Sequence, residues 1–227
     1  MRLSATEIAR MLDVSVVQTH HSLEDIKKAV ELAKGKRVMA IHVLPNWVKL
    51  AREMMGVGGD TIVGSSVGFP SGGSTTETKL FEAKQLIADG VQEIDMMLNV
   101  GRLKSGQYDY VENEIKAIAE ISGDMTLKVI LETCYLTDDE IKKGCELCIK
   151  AGADYVKTST GWAEKGATVE VIAMITEYTA GTIKVKASGG IQNLKTLMKF
   201  YEMGISRFGV NYESTKKIFD ECKQTHD

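Results

Sequence analysis

Cysteine and proline are scarce in this sequence, and that scarcity narrows the possibilities before any motif is read. Four cysteines (Cys134, Cys145, Cys148, Cys222) in 227 residues are too few and too irregular for a disulfide framework, so they read as thiols, which fits a reducing cytoplasm. Cys145-x-x-Cys148 has the spacing of half a zinc site, but no His-x₃-His partner exists, and the pair reads as helical thiols near a core. Two prolines, no low-complexity stretch and no charge block leave nothing that marks a linker between domains. No apolar run reaches the 18 residues of a membrane span, and the polar start Met1-Arg2-Leu3-Ser4-Ala5-Thr6-Glu7 lacks the apolar core of a secretory leader. Positive charge is not in excess: the formal net charge is −3, with Lys and Arg scattered, so neither nucleic acid nor a membrane is an expected partner.

What the chain does have is ordinary globular composition, 44% apolar and 26% charged, at a length that suits one α/β barrel. Short β-branched runs recur at Leu12–Val17, Val38–Val43, Thr61–Val67, Glu93–Leu98, Leu127–Leu131, Tyr155–Thr158, Ile183–Ala187 and Arg207–Val210, each followed by a helix-like stretch. Eight such cycles predict a closed parallel barrel, a (β/α)₈ TIM barrel spanning residues 1–227 as a single domain.

Helix punctuation agrees. Ser4-x-x-Glu7 and Thr137-x-x-Glu140 read as capping boxes, with Ser22-x-x-Asp25 as a lesser version, and Gly90, Gly152 and Gly204 sit where helices should stop. These glycines expose a weak repeat. Five residues after each stands Asp95, Lys157 or Gly209, positions that fall at comparable heights on three strands and point to one shared site at the C-terminal strand ends.

A barrel strand covered on both faces should read as nearly continuous Val, Ile, Leu and Ala. Tyr155-Val156-Lys157-Thr158 and Lys184-Val185-Lys186-Ala187 break that rule, and Leu127-Lys128-Val129 adds a third lysine. Period-2 alternation turns Lys157 and Lys186 away from their β-branched neighbours, toward the barrel mouth. The plainer alternative is that these lysines snorkel outward or neutralise acids such as Glu132 and Asp95. Chemistry offers another reason. An amine attacks a carbonyl only when neutral, and at a pKa of about 10.4 roughly one lysine in 2,500 is neutral at pH 7. Lowering the pKa to about 7 takes about 4.6 kcal/mol, which desolvation and a neighbouring cation, here Lys186, together supply. Asp95, an acid in the strand Glu93-Ile94-Asp95-Met96-Met97, reads either as a structural ion-pair partner or as a proton shuttle.

The residues Glu93-Ile94-Asp95-Met96-Met97-x-Asn99-x-Gly101, Lys128-Val129-Ile130-Leu131-Glu132-Thr133, Ala151–Gly161 and Val185-Lys186-Ala187-Ser188-Gly189-Gly190-Ile191 resemble deoxyribose-phosphate aldolase, a class I aldolase family. Val67-Gly68-Phe69-Pro70 and Thr75-Thr76-Glu77-x-Lys79 match it too, and the likeness runs in consistent order from Ala40 to Arg207. The resemblance implies Schiff-base chemistry on Lys157, with Lys186 and Asp95 as proton donor or acceptor and Lys128 helping to hold the carboxylate. It implies reversible cleavage of 2-deoxy-D-ribose 5-phosphate to acetaldehyde and D-glyceraldehyde 3-phosphate. The imine is itself the electron sink, so no metal and no cofactor is expected.

Substrate contacts are expected from Asp13, Ser15, Gly161, Gly189, Gly190, Gly209 and Asn211, with backbone N–H groups at helix starts seating the phosphate. Here the chain departs from the family. A usual Gly-x-Ser-Ser run is replaced by Gly209-Val210-Asn211-Tyr212-Glu213-Ser214, which removes two hydroxyl donors at about 1.5–3 kcal/mol each and adds a carboxylate. Asp13-Val14-Ser15 replaces the usual Asp-His-Thr, and His42, where cysteine is common, reads as structural. Trp162 reads as a filler or as a narrowing of the pocket mouth. Two alternatives stay open: the same chemistry on a different or unphosphorylated sugar or aldehyde, and a catalytically silent sugar-phosphate-binding barrel. Barrels of this kind often pair, so a homodimer is possible on the sequence.

Overall fold

The computed structural model describes residues 3–224. After a short helix α1 (Ala5–Ala9), eight strands alternate with helices: β1 (Leu12–Val16), α2 (Leu23–Lys36), β2 (Ala40–Val43), α3 (Val48–Met55), β3 (Ile62–Val67), α4 (Thr76–Ala88), β4 (Glu93–Met97), α5 (Val100–Lys104), α6 (Tyr108–Ser122), β5 (Thr126–Ile130), α7 (Asp138–Lys150), β6 (Tyr155–Lys157), α8 (Val169–Thr179), β7 (Lys184–Ser188), α9 (Leu194–Glu202), β8 (Arg207–Asn211) and α10 (Tyr212–Gln224). Every strand pairs in parallel with its sequence neighbour, and β1 closes on β8 through Leu12↔Phe208 and Asp13↔Gly209. The expected TIM barrel is the observed fold.

The strands lie within two residues of their expected bounds. The largest difference is β2, which starts at Ala40 rather than Val38 because the Val38 N–H closes back on the Ala33 carbonyl at 3.2 Å behind the left-handed Arg37. The capping boxes at Ser4–Glu7 and Thr137–Glu140 form in both directions. At Ser22 the shorter Asp25 carboxylate instead accepts both the backbone N–H and the hydroxyl of Ser22, each at 2.7 Å. Gly90, Gly152 and Gly204 take φ of 88°, 82° and 92°, conformations open to glycine without steric cost.

The apolar core lies between the sheet and the helix ring. Val14, Ile41, Val63, Ile94, Val129, Val156, Ala187 and Phe208 point outward into it and are fully buried. Their alternate neighbours on the same strands fill the barrel interior, and these are Asp13, His42, Glu93, Asp95, Lys128, Lys157, Lys186 and Arg207. The Arg207–Glu93 ion pair joins β8 to β4, opposite strands of an eight-strand ring, so it must cross that interior. Tyr155 lies beneath, with Arg207, Lys128 and Lys184 all within 6.0 Å of its ring centre. Where a barrel interior is ordinarily layered with branched apolar side chains, this one is layered with charge.

Candidate active site

Lys157, the last residue of β6, ends at the floor of a cavity of about 430 Å³ at the C-terminal end of the barrel. Its Nζ donates to Asp95 Oδ2 at 2.7 Å. The same oxygen receives Lys186 Nζ at 2.9 Å, and Lys128 Nζ reaches Asp95 Oδ1 at 3.1 Å. One carboxylate thus gathers all three lysines that the strand pattern singled out. This excludes outward snorkelling, since Lys128 and Lys186 are fully buried and Lys157 is 6% exposed.

Burial is the main force on Lys157, with the cations Lys186 and Lys128 adding to it, and together they outweigh the attraction of Asp95 to bring the ammonium down to about 8. Lys186 goes the other way. Burial penalises its charge too, but Asp13, Asp95 and Glu93 together raise it above the ordinary lysine value. The burial penalty on Asp95 is likewise overcome, by its cationic neighbours, which hold the carboxyl well below its usual range. Counted at formal charge, the network sets three carboxylates (Asp13, Glu93, Asp95) against four cations (Lys128, Lys157, Lys186, Arg207). It balances when one cation gives up its proton, and Lys157 is the one that opens onto the cavity.

Below Asp95, Arg207 donates to Asp13 at 2.6 Å and to Glu93 at 2.9 Å, while His42 Nε2 meets Glu93 at 2.6 Å. Glu93 and Arg207 went unnoticed in the sequence, although both are charges within barrel strands, the same signal that marks the lysines. Asp13, His42 and Glu93 bring ligand atoms within 4.8 Å of one another, a spacing that would suit a metal ion. Asp13 and Glu93 are already bonded to Arg207, however, and Lys186 lies 2.6 Å from Asp13, so a cation added there would meet two others.

Of the expected substrate contacts, Ser15, Gly161, Gly189, Gly190, Gly209 and Asn211 line the cavity with Lys157. Asp13 does not. It lies beneath the floor, fully buried, with both oxygens taken by Arg207 and Lys186. Glu132 is not a lysine partner either, because its carboxylate accepts from the N–H and hydroxyl of Thr160, and burial raises its pKa. Gly209 has a packing reason as well. A Cβ there would sit 2.9 Å from Ser188 Cβ and 3.5 Å from Lys186 Cε, so glycine makes room for the lysine.

Gly189 and Gly190 take φ of 77° and 79°, and the chain at Gly166 crosses so close to Gly189 that a Cβ on Gly166 would lie 2.3 Å from its carbonyl carbon. Asn211 caps α10, its Oδ1 accepting from Ser214 N–H at 2.8 Å, and Glu213 lines the cavity beside it. Trp162 is 37% exposed rather than filling the core, and it contacts two residues of the cavity wall. Its indole N–H donates to the Val17 carbonyl at 3.0 Å and its ring meets Phe69 edge-on at 5.8 Å.

Residues 6–210 match the family model described as DeoC/LacD family aldolase. The deoxyribose-phosphate aldolase of Klebsiella pneumoniae is 40% identical over 99% of this chain and 91% of its own length, and that of Bacillus mycoides is 44% identical over 97% and 98%. The solved deoxyribose phosphate aldolase of Aeropyrum pernix superposes with a TM-score of 0.86 at 26% identity, covering 99% of this chain and 94% of that one, and is described as a tetramer. With the cavity above Lys157 already in view, these likenesses settle the assignment: this chain belongs to the DeoC/LacD family of aldolases.

Proposed function

We propose that this protein is a lyase that reversibly cleaves 2-deoxy-D-ribose 5-phosphate to acetaldehyde and D-glyceraldehyde 3-phosphate through a Schiff base on Lys157. The observation that carries the reading is the placement of Lys157: buried, brought down to about 8, and opening onto the cavity. An amine so poised is neutral far more often at pH 7 than an exposed one, and it attacks the sugar aldehyde. The resulting iminium draws the electrons of the C2–C3 bond as the C3 hydroxyl loses its proton. The enamine left behind is protonated at C2 and hydrolysed to acetaldehyde. Asp95 and Lys186, 2.9 Å apart beside the reacting nitrogen, exchange the protons, and Lys128 holds Asp95 from the far side.

The backbone N–H groups around Gly189 and Gly190 seat the phosphate, with Gly209 and the Asn211 amide at its edge. Thiols at Cys134, Cys145, Cys148 and Cys222 support a cytoplasmic setting. Assembly into a homodimer or a larger oligomer belongs to the same reading, supported by the tetramer described for the Aeropyrum pernix relative.

The test is chemical trapping. Borohydride added with acetaldehyde should leave a stable adduct on Lys157, absent in Lys157→Ala, and the enzyme should turn over 2-deoxyribose 5-phosphate faster than 2-deoxyribose. An unmodified protein would mean a silent barrel, and a rate ratio near unity would mean that the phosphate is not recognised.

A further inference from the structure

His42 stands in the charged interior without a role in the chemistry above. Its ring was given space by a second residue. Gly64, its register partner on β3, would place a Cβ only 2.4 Å from His42 Cε1 and 2.9 Å from Nδ1. Gly64 has no left-handed backbone that would call for glycine, so the missing side chain serves the imidazole.

The ring's orientation is chemically determined. Glu93 is a carboxylate bonded to Arg207 and Lys128, so at 2.6 Å from His42 Nε2 it can only accept, and Nε2 carries the hydrogen. Burial keeps the ring neutral at rest, against the pull of Asp95 and Glu93. Nδ1 therefore presents a lone pair. Nδ1 is buried, has no hydrogen-bond partner, and lies 3.8 Å from Asp95 Oδ2, the oxygen that holds Lys157 Nζ at 2.7 Å.

We propose that His42 is a positioning residue for the reacting amine: it takes, by way of Asp95 Oδ2, the proton that Lys157 sheds on attacking a carbonyl, and gives it back as the carbinolamine loses water. This rests on the Schiff-base reading of Lys157. The lysine enters as an ammonium with three N–H bonds and ends as an iminium with one. The C–N bond forms, the C–O bond breaks, and two protons leave with the carbonyl oxygen as water. One of those two waits on Nδ1.

Three features favour that resting place. Asp95 already accepts from Lys128, Lys157 and Lys186, so a proton passed to it is not kept there and needs an acceptor beyond it. The imidazolium would form among three carboxylates, with Glu93 at 2.6 Å, Asp13 at 3.7 Å and Asp95 at 3.8 Å, and with Lys186 as the cation that opposes it. The proton also stays inside the network, so the amine becomes neutral with no change in the total buried charge. As Lys157 moves toward the carbonyl carbon, Asp95 Oδ2 loses one donor and needs to turn by about 1 Å to reach Nδ1 at hydrogen-bond distance.

The experiment is the pH dependence of adduct formation on Lys157, with acetaldehyde and cyanoborohydride, from pH 6 to 9 in the wild type and in His42→Gln. Glutamine keeps polarity and bulk but cannot take the proton. Below about 8, an amine that must lose its proton to water slows tenfold per pH unit, and His42→Gln should follow that slope. The wild type should fall less steeply, so that the two differ by at least about tenfold more at pH 6 than at pH 9. Parallel profiles, however far apart, would overturn the relay and leave the aldolase reading intact. No adduct in the wild type would overturn both. If His42→Gln does not fold, ¹⁵N-histidine spectra of the wild type at pH 7 decide: an unprotonated Nδ1 with a protonated Nε2 supports the relay, and a protonated Nδ1 overturns it.

Discussion

Arg207 on β8 and Glu93 on β4 face each other across the barrel and meet at 2.9 Å in its interior. With Asp13 as its second partner, this guanidinium ties β4 to β8 and β1, neither of which shares a backbone hydrogen bond with β4, and supports the floor on which Asp95 rests. Arg207→Met should therefore strip Glu93 and Asp13 of their shared guanidinium, leave each with a single lysine partner, and lower stability by about 3–5 kcal/mol in urea titration. A loss under about 1 kcal/mol would show that the remaining lysines satisfy both acids.

Lys157 contributes in the opposite sense. It is the surplus cation of the network, so Lys157→Met should abolish the aldehyde adduct while leaving the protein at least as stable as the wild type at pH 7. Wild-type stability below that of the variant, together with its loss of activity, would mark a side chain kept for chemistry at the expense of folding. A variant that unfolds more readily would contradict the surplus-charge account.

The pH dependence of that difference follows from the same shift. In the unfolded chain Lys157 holds its proton up to about 10.5, and in the folded chain only to about 8, so between these values the unfolded state binds more protons and folding gains as pH rises. Wild-type stability measured against Lys157→Met should accordingly be lowest below pH 8 and recover by about 3 kcal/mol toward pH 10.5. A flat difference across that window would show an ordinary lysine.

Gly64 and His42 should behave as a coupled pair. Gly64→Ala pushes a methyl against the imidazole and should destabilise by about 1–3 kcal/mol, and the added cost should largely vanish in a His42→Ala background. Strict additivity in the cycle would mean that the ring moves aside freely.

Glu213 bears on the substrate's tail. It is an exposed acid at the cavity wall beside the Asn211 cap, and at the proposed phosphate seat its charge would oppose the dianion. Glu213→Gln should lower KM for 2-deoxyribose 5-phosphate several-fold, leaving kcat and the KM for 2-deoxyribose nearly unchanged. Equal effects on both sugars would place the carboxylate away from the phosphate.

Much of this was legible in one dimension. Eight strands, their order and the caps between them follow from period-2 and period-3.6 patterning with glycine at helix ends, because these are local properties of the backbone. Lys128, Lys157, Lys186 and Asp95 stood out because a charge in a doubly covered strand has to be explained. What one dimension could not hold is pairing. Arg207 and Glu93 are 114 positions apart, and Lys157 and Asp95 are 62 apart. Closure of the barrel decided that Asp95, rather than Glu132, gathers the lysines, that Asp13 lies beneath the cavity instead of lining it, and that His42 faces Asp95. The sequence alone determined which side chains carry charge into the strands, since alternation is written residue by residue. Only the tertiary structure decided which of those charges meet, because strand register and barrel closure set the distances on which every buried ion pair and every shifted pKa depends.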